Sequence, residues 1–145
     1  MKVYFACAIV GGRQDEGVYQ RFVEAILAGG HEVPTAMNAG PGWAQMEGSP
    51  DPNEVYRRDT AWIDESRALV AEITTPSHGV GYEISYALER GKPVLCLYRR
   101  GARVSKMLTG NTMPGLQVAE YGEVEKGVDI IREFIQQIEA QWFTN

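Results

Sequence analysis

The stretch Thr75-Pro-Ser-His-Gly-Val-Gly-Tyr-Glu83 gathers residue types from which a reaction centre is built. It follows an apolar run at 68–73, ALVAEI, and leads into a helix read over 82–90. Gly79 and Gly81 let the backbone approach a ligand closely, and amides at a helix start favour an anion. Ser77 adds a hydroxyl donor. Glu83 is read in the first helical turn, where the helix dipole favours its ionised form. An ionised carboxylate beside a bound sugar is a competent nucleophile for a glycosyl carbon. A plainer reading stands next to it: Glu83 as a surface acid matched to the dipole, with glycines that only shape a turn.

Asp59 is the second candidate. It shares a helical face with Val55, Trp62 and Ile63 in a helix read over 53–66, with Asn53 as its cap. An acid there is costly to bury alone, so a boundary ion pair with Arg57 or Arg58 is the competing account. Placed at one sheet edge with Glu83, it would let two carboxylates divide the work of nucleophile and proton donor. Tyr4 lies in the first strand, where packing explains an aromatic. Its buried hydroxyl still needs a partner, and a catalytic carboxylate would serve. After Ala8 and Ile9, the turn Gly11-Gly12-Arg13 either cradles an anion or simply reverses the chain. Arg99, Arg100, Arg103 and Lys106 form either a solvated charge run or a phosphate contact. The sequence contains neither a Walker loop nor a dinucleotide fingerprint, because no Gly-Lys-Ser/Thr and no G-x-G-x-x-G follows a strand.

To act together, these groups need strands that end side by side. Strands are read at 3–9, 31–34, 68–73, 93–98 and 116–119, alternating with helices over 17–28, 53–66, 82–90 and 124–142. The central runs are continuously apolar, which points to a parallel sheet covered on both faces. The expected fold is α/β: one domain over 1–145, with a five-stranded parallel sheet, helices on both faces, and a flavodoxin/Rossmann-like order 2-1-3-4-5. Ligands in such sheets bind beyond the carboxyl ends of the strands. Those ends carry 8–13, the Gly- and Pro-rich loop 36–52, 74–83 and 99–105.

Composition narrows the partners. The chain has 145 residues, 44% hydrophobic and 23% charged, with a net charge of −5. That is a globular composition without the basic stripe that long nucleic acids require, while a single nucleotide stays compatible with it. Cys7 and Cys96 sit in apolar runs, which suggests a reducing compartment and no disulfide framework. His31 and His78 make no metal-ligand spacing with them, so neither metal nor cofactor is expected. The start MKVYFACAIVGGR lacks the features of a signal peptide, and no apolar run is long enough to span a membrane. The expectation is a cytoplasmic protein with no membrane association.

Taken together, YFACAIVGGR, RDTAWIDESRALVAEITTPSHGVGYEISYAL and GKPVLCLYR resemble the nucleoside 2-deoxyribosyltransferase superfamily. The similarity is greatest to its 2'-deoxynucleoside 5'-phosphate N-hydrolases and runs from Val3 to about Met107. The resemblance implies that Glu83 attacks C1' to form a covalent glycosyl-enzyme, that Asp59 assists departure of the base, and that Tyr4 orients the nucleophile. It places Ser77 and the Gly79 amide in a 5'-phosphate pocket. Ala8, Ile9, Gly11, Gly12 and Arg13 fall on the substrate side. Ser105, next to Met107, would complete the phosphate site of a neighbouring subunit, so a homo-oligomer, at least a dimer, is implied. The hydrolases carry a serine and an arginine where Ala8 and Val10 stand here. Three functions follow: hydrolysis of a (2'-deoxy)nucleoside 5'-monophosphate, deoxyribosyl transfer between bases on unphosphorylated nucleosides, and a non-catalytic nucleotide-sensing module. The combination of Tyr4, Asp59 and Glu83 argues against the last.

Overall fold

The computed structural model describes residues 1–9, 15–39 and 51–144. Four strands, β1 (Val3–Ala6), β2 (Ala68–Glu72), β3 (Val94–Arg99) and β4 (Leu116–Tyr121), pair in parallel in the order β1-β2-β3-β4. The helices are α1 (Glu16–Ala28), α2 (Pro52–Glu65), α3 (His78–Glu89), the short α4 (Lys106–Thr109) and α5 (Val124–Trp142). Every residue of β1 and β2 is buried, which is why both read as near-continuous apolar runs, with Glu72 at the end of β2 as the one charged member. Strand alternation sends Val3, Phe5, Val70 and Leu95 toward α1 and α5. It sends Tyr4, Leu69, Ala71 and Cys96 toward α2 and α3. Gly127 lets α5 close on α1, since a Cβ there would stand 2.6 Å from Phe22 Cζ.

The fifth strand expected at 31–34 is not formed. A single parallel bridge joins Lys2 and Glu32, with Val3 N donating to Glu32 O at 2.8 Å and Glu32 N to Met1 O at 2.9 Å. Pro34 then has no N–H with which to continue a ladder. Thr35 takes over with its side chain: Phe5 N donates to Thr35 Oγ1 at 3.1 Å, and that hydroxyl donates to Phe5 O at 2.7 Å. The sheet is the expected one with its edge member reduced to a bridge.

Two helix starts also differ from expectation. The cap of α2 is Asp51 rather than Asn53: Asn53 N donates to Asp51 Oδ1 at 2.9 Å, and Pro52 takes the first helical position. Helix α3 begins at His78 rather than Tyr82. Ser77 caps it, its Oγ accepting from Val80 N at 3.3 Å. Gly79 and Gly81 are therefore helical, and Glu83 stands in the second turn instead of the first. No helix among the described residues is long and apolar enough to cross a membrane.

Candidate active site

Tyr4 is the first fixed point. It is 1% exposed and faces α2 and α3. Its hydroxyl is hydrogen-bonded to the Glu83 carboxylate. Burial, reinforced by the charges of Glu83 and Asp59, pushes the phenol far above its ordinary range, so it remains a donor. Glu83 is itself pushed up to about 7. Burial is the main cause and the Asp59 charge adds to it, while the Tyr4 hydrogen bond pulls the other way. This reverses the expectation of a carboxylate held ionised by the helix dipole. A side chain in the second turn is past the strongest part of that field, and desolvation outweighs what remains.

Asp59 reaches the same place from α2, one turn after Val55 and one before Ile63. Arg58 Nε lies 2.9 Å from Asp59 Oδ1, and the guanidinium stacks over Trp62 at 4.9 Å. The ion pair offered as the plainer account thus exists, and it coexists with the approach to Glu83. Val55, Tyr56 and Asp59 of α2 face Gly79, Tyr82 and Glu83 of α3 across a cavity of about 420 Å³. Gly79 precedes Glu83 by one turn. A Cβ on it would stand 3.8 Å from Glu83 Oε1 and 3.9 Å from Ser77 Oγ, so the bare backbone keeps the space between them open.

Tyr56 and Tyr82 were not singled out by the sequence. Their rings meet edge to face at 6.1 Å with hydroxyls 3.3 Å apart, and each is about half exposed. The available signal was spacing: Tyr56 precedes Asp59 by one helical turn, and Tyr82 adjoins Glu83. Cys7 is also close to Glu83, but burial pushes its thiol up to about 12, which keeps it from acting as a nucleophile.

The residues read as phosphate contacts divide between two cavities: Gly79 lines the one beside Glu83, and others line a second next to it. Ser77, Arg103, Ser105 and Met107 line that second cavity, of about 380 Å³. Ser105 caps α4 by accepting from Met107 N at 3.2 Å, and Met107 is 82% exposed. Arg99 pairs instead with Asp15 at 3.1 Å, and Arg100 with Glu120 at 3.5 Å. Ala8 is buried and Ile9 half exposed just past β1. Gly11, Gly12 and Arg13 lie outside the described residues.

A pair of carboxylates, one hydrogen-bonded to a buried phenol and the other held by an arginine, is suited to displacement at a sugar carbon. Comparison with known proteins agrees. A sequence profile of the family described as nucleoside 2-deoxyribosyltransferase matches residues 3–127. The 5-hydroxymethyl-dUMP N-hydrolase of Danio rerio is 33% identical over 141 residues, covering 95% of this chain and 98% of its own. A Methanosarcina mazei protein provisionally named 2'-deoxynucleoside 5'-phosphate N-hydrolase 1 is 38% identical over 136 residues, 94% of this chain and 84% of that one. Among solved structures, the Clostridium botulinum CMP N-glycosidase shares the fold. It has a TM-score of 0.68 at 17% identity, over 91% of this chain and 99% of that one. On the profile match and these identities, the chain belongs to the nucleoside 2-deoxyribosyltransferase family.

Proposed function

We propose that this protein hydrolyses the N-glycosidic bond of a (2'-deoxy)nucleoside 5'-monophosphate, releasing the free base and (deoxy)ribose 5-phosphate. The observation that carries the reading is the placement of Asp59 and Glu83 on facing helices around one cavity, with Tyr4 bonded to Glu83 from beneath. Glu83 passes its proton to Asp59 and, as the carboxylate, attacks C1' while the C1'–N bond breaks; the departing base takes that proton from Asp59. Water then attacks C1' of the glycosyl-Glu83 ester, giving up a proton to Asp59 and freeing the carboxylate. Tyr4 holds Glu83 in line through both steps. The neighbouring cavity takes the 5'-phosphate: Ser77, Ser105 and Arg103 of one chain line it together, so Ser105 serves its own subunit's site rather than a neighbour's.

A second reading, deoxyribosyl transfer to another base, is favoured by one observation. Ala8, buried at the end of β1, offers no hydroxyl to a phosphate. Product analysis on a deoxynucleoside monophosphate and its parent nucleoside, with and without a second base, separates the two. Hydrolysis predicts sugar phosphate as product and a higher kcat/KM for the monophosphate, an advantage that added salt erodes. A better rate on the bare nucleoside at low salt, with exchange of bases, would replace hydrolysis by transfer. The nucleotide-sensing reading predicts binding without turnover in either assay. We also propose a homo-oligomer, at least a dimer, because Tyr56, Tyr82 and Met107 leave a largely exposed apolar surface around both cavities. Light scattering at micromolar concentration tests it, and a fully active monomer would refute it.

A further inference from the structure

On the side of the sheet away from Glu83, a second buried acid is tied to the same turn. Asp15, at the entry to α1, is 6% exposed. Its Oδ2 accepts from the Thr75 hydroxyl at 3.1 Å, and its Oδ1 pairs with Arg99 Nη2 at 3.1 Å. Arg99 in turn donates its backbone N–H to Thr74 Oγ1 at 2.9 Å. Thr74 N donates to the fully buried Glu72 at 2.6 Å. The start of α1, the turn after β2 and the end of β3 are thereby joined through one carboxylate. Two residues beyond Thr75, Ser77 caps α3 and lines the cavity assigned to the phosphate.

We propose that Asp15 is a positioning residue for substrate binding: by clamping Thr75 against Arg99 it fixes where Ser77 stands. The assignment rests on the function proposed above. Glu83 has separate supports in Tyr4 and in the buried Ile84 beside it, so loosening the turn displaces Ser77 without displacing the nucleophile. Loss of the clamp should therefore appear in KM and spare kcat.

The test uses Thr75→Val, which keeps the side-chain volume, and Asp15→Asn. Steady-state kinetics on a deoxynucleoside 5'-monophosphate are combined with amide hydrogen exchange over 75–80 in substrate-free enzyme. Each variant is expected to raise KM about tenfold, the worth of a charge-assisted hydrogen bond, with kcat within about threefold of wild type. The double variant should be no worse than the more damaging single one, because each breaks one half of the same Thr75–Asp15–Arg99 clamp. Exchange at 77–80 should accelerate in both. Should Asp15→Asn fail to fold, Thr75→Val carries the test. An unchanged KM in a folded Thr75→Val protein, or a fall in kcat alone, overturns the proposal. If wild-type protein cleaves no nucleotide, the function proposed above falls, and exchange still decides the clamp: unaltered protection over 77–80 refutes it.

Discussion

Replacing Glu83 with glutamine should do two opposite things: abolish turnover and stabilise the fold above neutral pH. The second effect follows from the site. Glu83 titrates from an ordinary 4.5 up to about 7 in the folded protein, mainly because it is buried. Between those values the native state holds a proton that the unfolded chain has released, so stability falls as pH rises from about 4.5 to about 7 and stays low beyond. Each unit is worth about 1.4 kcal/mol, and the whole shift about 3 kcal/mol. Partial exposure of Glu83 reduces the share expected between pH 5 and pH 8 to about 2 kcal/mol. Glutamine has no charge to desolvate and still accepts from Tyr4. The variant should therefore gain on wild type by about 2 kcal/mol between those pH values, roughly 4–8 °C in Tm. Urea denaturation of both proteins at pH 5 and pH 8, followed by circular dichroism, measures the gap. A gap independent of pH, or a glutamine variant that is the less stable at pH 8, would refute the argument that burial sets the Glu83 titration.

Three further outcomes are expected. Tyr4→Phe removes the bond that pulls Glu83 downward, so the acid limb of kcat/KM should move up by about one pH unit; an unmoved limb would detach Tyr4 from the nucleophile. Asp59→Asn should slow poor leaving-group bases by about 100-fold or more and spare activated ones; equal losses across leaving groups would reduce Asp59 to a structural partner of Arg58. Gly79→Ala should fold at least as well as wild type, because its Cβ meets only ordinary contacts at 3.8 and 3.9 Å and alanine favours a helix by up to about 1 kcal/mol. It should nevertheless raise KM by crowding the gap between Ser77 and Glu83, and an unchanged KM would show that no ligand enters there.

Buried strands are the easiest feature to read, because a run such as VLCL at 94–97 has no polar face to confuse its period. The last helix was equally plain, since its apolar residues repeat at helical spacing over Val124–Trp142. The start of α3 is hidden in the sequence because Gly79 and Gly81 look like loop residues, while a Ser77 cap makes them helical. The strand at 31–34 failed at Pro34, where a threonine side chain replaced the backbone pairing. At the site, Tyr4, Asp59 and Glu83 were legible as types and spacing. The direction of the Glu83 shift was not, because the helix dipole can be read from a sequence and desolvation cannot. The link from Asp15 to Thr75 and Arg99 was invisible for a similar reason: it joins three chain segments that only the fold brings together.

Thr35 has a consequence for how the protein behaves in a crowd. A parallel sheet ending in a bare strand offers other chains a row of unpaired donors and acceptors. Here the outer rim of β1 is occupied: Glu32 engages Val3, and a completely buried hydroxyl engages both the N–H and the carbonyl of Phe5. Among the described residues, a copy of this protein, or a half-synthesised one, therefore meets a rim at Val3 and Phe5 that is already engaged. Thr35→Val would keep the shape of the side chain while stripping both bonds from Phe5. The damage should then show less in turnover than in solubility, as clumping on heating that wild type resists.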